Sequence, residues 1–229
     1  MKYAFLSDRS YGSTLKLLKT SILVPELPLI DGKTSYHADL SLCILGENMV
    51  CAPSLYEKLK SIKNPDFIGG INIIKGDSEP CEPYPNDILY NAAVVGKYVF
   101  CKRDKTDNKL LEIAENNGYS IINVKQGYAR CSTLPVSDSA LITSDSGIYS
   151  AALNAGLDAL SVTNEGVFLD GYPNGFIGGC GGLFENKLIF SGDISKHRDF
   201  ERIKDFCGKY SVEVIFTSEP LYDFGSILC

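Results

Sequence analysis

The 229 residues contain no tryptophan, two methionines and two histidines. With so little histidine, and no C-x-x-C pair among eight cysteines, no zinc site is expected. Basic residues are also in deficit: 22 Lys and Arg stand against 28 Asp and Glu, a net charge of −6, and they form no patch. The footprint of a duplex-binding protein is missing, so nucleic acid is not an expected partner. No apolar run approaches the ~20 residues of a membrane helix, and no membrane association is expected. The opening Tyr3-Ala4-Phe5-Leu6 stops at Ser7, which predicts no signal peptide and a cytoplasmic chain with free thiols. The remaining composition, 45% hydrophobic and 22% charged, suits one folded domain over residues 1–229.

What the chain does have is an internal repeat. A β-rich run turns back into a second run, a helix follows, and a third run closes the unit. The first unit reads as 39–44, 49–52, a helix from 54 to about 63, and 71–74. The second reads as 87–92, 98–101, a helix over 106–117, and 119–124. The third is 129–132, 140–143, a helix over 146–155, and 159–163; the fourth is 175–180, 188–191, a helix over 195–208, and 212–216. The fifth is divided between 225–229 at one end and 3–6, a helix near 13–20, and 22–24 at the other. Asp8, Ser54, Asp104, Asp145 and Asp193 close the second runs at intervals of 46, 50, 41 and 48 residues. Each, by its short oxygen side chain, is a helix cap or stands just before one. Five ββαβ units with the last shared between both ends predict a closed α/β ring with no open edges. Its first strands would line the axis, its helices the outside, and function would sit at one mouth of the pore.

This arrangement resembles the pentein superfamily, the five-bladed α/β propellers of guanidino-group-modifying enzymes, which include arginine deiminases, dimethylargininases, agmatine deiminases and amidinotransferases. It is similar in particular to an uncharacterised bacterial family of that fold. Three stretches carry the likeness: Lys125-Gln126-Gly127-Tyr128-Ala129-Arg130-Cys131-Ser132, Gly171-Tyr172-Pro173-Asn174-Gly175-Phe176-Ile177-Gly178-Gly179, and Pro220-Leu221-Tyr222-Asp223-Phe224-Gly225-Ser226-Ile227-Leu228. The resemblance implies a cysteine-dependent hydrolase or transferase acting on a guanidino or amidino ligand in the central pore, with no metal and no organic cofactor. In such enzymes a thiolate attacks the planar amidine carbon, a histidine moves the proton, and carboxylates hold the guanidinium. The histidine opens a first strand in an H-x-D or H-x-E context. The cysteine lies on the last unit's first strand, after a glycine-rich approach.

His37-Ala38-Asp39 fits the histidine context, giving His37 as acid/base and Asp39 as a guanidinium anchor. Asp223-Phe224-Gly225-Ser226-Ile227-Leu228-Cys229 is similar to the cysteine segment, giving Asp223 as a second anchor and Cys229 as one candidate nucleophile. Cys131 is another; it follows Arg130, a cation of the kind that lowers a thiol pKa, although neighbours on a strand face opposite ways. Cys180 is the third, inside a glycine run where Gly179 either offers a free N–H or packs the axis tightly. Asn91, in an apolar run, needs buried partners and joins Asp87, Arg130 and Gly179 as a substrate-binding candidate. His197, at an outer helix start, reads as a surface residue. The His37 unit follows the Cys229 unit around the ring, whereas in the enzymes it precedes it. Either the constellation is rotated about the pseudo-fivefold axis, or the pore keeps only a binding role. The latter would make the chain a non-catalytic ring for a protein partner or a small-molecule sensor. The fold occurs in such a role in a ribosome anti-association factor. Self-association is left open.

Overall fold

The computed structural model describes residues 3–30, 32–61, 67–68 and 70–229. At the N-terminal end β1 (Ala4–Ser7), α1 (Gly12–Leu17) and β2 (Ser21–Val24) form a parallel pair of strands joined by a helix. A short helix α2 (Ala38–Ser41) then leads into β3 (Leu42–Leu45), which hairpins at Gly46 into β4 (Asn48–Cys51). Helix α3 (Pro53–Lys60) follows, then β5 (Phe67–Ile68) and β6 (Ile71–Lys75), with β6 parallel to β4. The same pattern recurs in β7 (Ala93–Val95), β8 (Tyr98–Cys101), α4 (Asn108–Asn116) and β9 (Ser120–Asn123). It recurs again in β10 (Thr133–Ser137), β11 (Ala140–Thr143), α5 (Ser146–Asn154) and β12 (Asp158–Ser161). The last full copy is β13 (Gly181–Phe184), β14 (Lys187–Phe190), α6 (Phe200–Lys209) and β15 (Glu213–Phe216).

Each repeat thus pairs its first two strands antiparallel and its last two parallel. A parallel return needs a crossover, and the helix supplies it. The middle strand is covered on both faces, so it reads as a continuous apolar run: Met49-Val50-Cys51, Val99-Phe100-Cys101 and Leu188-Ile189-Phe190 are all buried. The helices bury one stripe, Leu110 and Ala114 in α4, Ile148 and Ala152 in α5, and Ile203, Phe206 and Cys207 in α6. Strand β10 packs against both β7 and β13, so first strands of successive repeats adjoin. At the seam, Phe5 N–H donates to the Leu228 carbonyl at 2.7 Å and Leu228 N–H donates back to Phe5 at 2.9 Å.

Several expected boundaries move. Asp145 caps α5, accepting from Ile148 N–H at 2.8 Å, and Asp104 stands three residues before Asp107, which caps α4. The helix expected over 195–208 is broken: Asp193 caps a separate 3-10 turn (Ile194–Lys196), and α6 begins only at Phe200. Residues 62 and 63 of the expected first helix lie outside the described residues. The most consequential shift concerns the first strands, which start late. Residues 39–41, 90–92, 130–132 and 177–180 are tight turns or short helices leading into the strand. Each is closed by a local bond: Leu40 N–H to His37, Asn91 N–H to Ile88, Thr133 N–H to Arg130, and Gly179 N–H to Phe176. These approach segments, not the strands, carry the candidate side chains. No helix among the described residues is long and apolar enough to cross a membrane.

Candidate functional site

Three of these approach segments, around Asp39, Asn91 and Cys131, meet the C-terminal residues 223–226 in one buried cluster. Residue Asp39 is in α2, with its backbone N–H bound to the Gly225 carbonyl at 3.1 Å. Its Oδ2 accepts from the Cys131 thiol at 3.0 Å and from the Ser226 hydroxyl at 2.6 Å. One ligating atom from each of His37, Asp39 and Cys131 lies within 4.8 Å of the other two. The sulfur and the imidazole are therefore within one-water reach. Asn91 clamps the thiol turn: its Nδ2 donates to Cys131 Sγ at 3.1 Å and to the Asp39 carbonyl at 3.2 Å. Its Oδ1 accepts from Arg130 N–H at 2.8 Å and Cys131 N–H at 3.3 Å. The buried amide found its partners within the chain.

Asp223 completes the set. Its carboxylate accepts from Phe176 N–H at 2.8 Å and Gly225 N–H at 3.0 Å, and Oδ1 stands 3.9 Å from His37 Nδ1. That is too far for a hydrogen bond, and burial lowers the His37 pKa, so the imidazole is neutral there. Two glycines make this approach possible. A side chain at Gly179 would occupy the place of the Asp223 carboxylate. Gly225 has a φ of 76°, and a Cβ there would stand 2.4 Å from the His37 backbone. His37, Asp39, Cys131 and Asp223 are all at most 3% exposed. The Tyr36 ring packs edge-on to His37 at 5.1 Å, and Phe224 stacks with Tyr222 at 4.5 Å, building an aromatic cover.

Burial dominates the electrostatics. It pushes the Asp39 carboxyl up, although His37 and the Ser226 and Cys131 hydrogen bonds pull the other way. It raises Asp223 to about 6, and it drives the Cys131 thiol well above its ordinary value, helped by the charge of Asp39. At neutral pH, then, a thiol rather than a thiolate faces Asp39. Two atoms of the cluster are orphans: among the described residues, His37 Nε2 and Asp39 Oδ1 are buried without a hydrogen-bond partner. Buried polar atoms are rarely left so.

The remaining candidates fall elsewhere. Arg130 points away from the thiol. Its terminal nitrogens donate to four carbonyls, Thr133 at 2.7 Å, Gly178 at 3.0 Å, Gly181 at 3.2 Å and Ile227 at 3.1 Å. They are spent on the chain itself rather than offered to a ligand. Cys180 donates to the Phe176 carbonyl at 3.4 Å, outside the His37 cluster, and burial raises its pKa too. Cys229 lines a cavity of about 500 Å³ with Gly46, Gly96, Ser137, Asp138 and Tyr119. Gly46, Gly96 and Asp138 are hairpin-turn residues, and the lining runs from them along the first strands to Ala92 and Arg130; none of His37, Asp39 and Cys131 is part of it. Gly179 N–H is used by the Cys131 and Phe176 carbonyls and is not a free donor. Asp87, apart from the cluster, accepts from the Tyr128 hydroxyl at 2.6 Å, and its Oδ1 has no hydrogen-bond partner among the described residues. His197 is buried, not on the surface; Asp199 N–H donates to its Nδ1 at 3.1 Å and Nε2 meets the Thr163 carbonyl at 3.2 Å. Ser226 was not anticipated. It belongs to the C-terminal segment that drew attention, but the sequence pointed three residues further, to the thiol of Cys229.

Residues 7–228 match a family described as a family of unknown function, DUF6873. The chain belongs to that family. No functionally curated protein matches it. Among solved structures, it is similar to DDAH from Pseudomonas aeruginosa in a Cys-to-Ser mutant complexed with citrulline. The TM-score is 0.56 at 8% identity, covering 95% of this chain and 92% of that one. A dimethylarginine dimethylaminohydrolase adduct with S-methyl-L-thiocitrulline gives 0.59 at 10% identity, again over 95% and 92%. Inosamine-phosphate amidinotransferase from Streptomyces griseus gives 0.53 at 11%, over 93% and 75%. The family member described here therefore has a mixed α/β fold of pentein type.

Proposed function

We propose that this chain is a single pentein domain, its five sheets arranged as a propeller closed by both ends. In this reading it acts as a cysteine-dependent hydrolase or amidinotransferase on a guanidino or amidino compound. The observation that carries the reading is the Cys131 thiol held 3.0 Å from Asp39, with neutral His37 beside it and unpaired buried acceptors around it. The similar structures include an enzyme complexed with citrulline and an amidinotransferase, which fits the same substrate class.

A planar guanidinium seated between Asp39 and Asp223 would supply the donor that Asp39 Oδ1 lacks and a countercharge for both carboxylates. Its charge would also lower the Cys131 pKa, so the nucleophile would form only when substrate is present. The S–H proton would pass to His37 as sulfur bonds to the amidine carbon. The tetrahedral adduct would then expel an amine, which takes that proton from His37 as the C–N bond breaks. Water, losing its proton to His37, would attack the remaining thio-adduct; C–S cleavage would return the thiol. An acceptor amine in place of water makes the same step a transfer.

A haloacetamidine, an amidine-shaped electrophile, tests this. One equivalent should attach to Cys131 by mass mapping, and His37→Ala and Asp39→Asn should each abolish fast labelling. Uniformly slow reaction of every cysteine would falsify the enzyme reading and favour a non-catalytic ring. Labelling of Cys180 or Cys229 instead would move the nucleophile.

A further inference from the structure

Metal-ligand chemistry is written into the same cluster, and the surroundings of each group matter more than the groups alone. A catalytic-type zinc site uses three protein ligands of the N, O and S kinds and leaves a fourth position for water. His37, Asp39 and Cys131 supply one of each, with ligating atoms within 4.8 Å of one another. Ligand atoms around tetrahedral zinc stand roughly 3.3–3.8 Å apart, given bonds of about 2.0–2.3 Å. The Cys131 sulfur already stands 3.0 Å from the Asp39 carboxylate, at Oδ2, and separations of up to 4.8 Å need to close by only about 1 Å.

Ligands in metal sites are also held by outer partners that fix their orientation. All three have them here. Asn91 Nδ2 points at the Cys131 sulfur at 3.1 Å, the Ser226 hydroxyl binds Asp39 Oδ2 at 2.6 Å, and the Asp223 backbone and carboxylate face the Nδ1 side of His37. The atoms left over are the ones a metal would take: His37 Nε2 and Asp39 Oδ1 are buried with no partner among the described residues. No lysine or arginine is paired with either carboxylate of the cluster among the described residues; Arg130 is committed to carbonyls.

We infer that His37, Asp39 and Cys131 form a site for a thiophilic divalent cation such as zinc. On binding, the Cys131 S–H proton leaves to solvent as the metal–sulfur bond forms. Two anionic ligands then balance the dication, with neutral His37 as third ligand and water as fourth. Occupancy removes the thiol from nucleophilic chemistry, so the metal would be an inhibitor of the reaction proposed above. The site itself stands whether or not that reaction occurs.

The test uses the full chain carrying Cys81→Ser and Cys229→Ser, which removes the two partly exposed thiols. Titration with cobalt(II) should give one equivalent with a thiolate-to-cobalt charge-transfer band and the d–d absorption of a four-coordinate ion. Zinc should displace it. Cys131→Ser should remove the charge-transfer band. The milder Asn91→Ala and Asp223→Asn variants should weaken binding by about 10- to 100-fold, the usual effect of losing an outer partner. No charge-transfer band, or a band that survives Cys131→Ser, overturns the site. Haloacetamidine labelling without metal reads the enzyme proposal separately, so the two can fail independently.

Discussion

Phe5 and Leu228 hydrogen-bond to each other in both directions, at 2.7 and 2.9 Å, joining the two ends of the chain. If this seam locks the whole fold, Leu228→Pro, which deletes one donor, should lower the urea midpoint of the entire transition. The unsatisfied carbonyl alone is worth about 1–3 kcal/mol. Hydrogen exchange gives the contrary case. Loss of protection confined to β1 and the C-terminal segment, with the rest unchanged, would show the seam to be local.

The buried thiols make a second prediction. Burial pushes Cys43, Cys51 and Cys207 up to about 12. At pH 8 roughly one in ten thousand of each would be thiolate, the reactive form. Native-state alkylation followed by peptide mapping should leave these three unmodified until denaturant is added. Rapid modification of any of them would show that its part of the core opens readily.

Most of the architecture was legible in the sequence because it depends on strong, local signals. Middle strands buried on both faces give unbroken apolar runs, and α4 to α6 show clean helical stripes. Short turns at Gly46 and Gly96 mark the hairpins. The approach segments look like strands in the sequence because they are equally apolar; Leu40, Tyr90 and Ile177 are all buried. What distinguishes them is the local bond that closes each turn, and hydrophobicity does not record it. The site was legible in part. His37, Asp39, Asn91, Cys131 and Asp223 meet, but nothing in the sequence says which thiol faces Asp39 or that Arg130 turns to carbonyls. Those facts depend on side-chain direction at the axis, where four segments distant in sequence must be packed together.

Asp223 ionises at about 6 in the folded chain, against about 3.9 for an unfolded aspartate. The folded state thus holds its proton more tightly, and this group's contribution to stability falls as pH rises from about 4 to 6 and stays low above that. The difference amounts to about 3 kcal/mol. Urea unfolding of wild type and Asp223→Asn across pH 4–8 should show a steeper loss with rising pH in wild type. Equal slopes would mean that the carboxylate is better solvated than its surroundings indicate.

Gly225→Ala sets a Cβ against the His37 backbone at a positive φ. Overpacking of this kind costs about 1–3 kcal/mol, and it displaces the imidazole rather than the thiol. Amidine labelling of Cys131 should fall to the level of His37→Ala while the fold persists by circular dichroism. Gly208→Ala in α6, where a Cβ meets nothing within 4 Å, is the matched control and should stabilise slightly. Full labelling in Gly225→Ala would detach His37 from the chemistry.

The carbonyl cage around Arg130 has a last consequence. Because neutral dipoles hold that guanidinium, its positive charge is not cancelled by contact with any acid among the described residues. It sits instead as a fixed monopole near Asp39 and Asp223. With both acids ionised the centre of the molecule carries one uncompensated negative charge, and a single arriving cation restores neutrality. For the proposed site this sets ligand valence: a monocation would complete the interior, a neutral analogue would leave the negative charge uncompensated, and a dication would overshoot unless Cys131 gave up its proton.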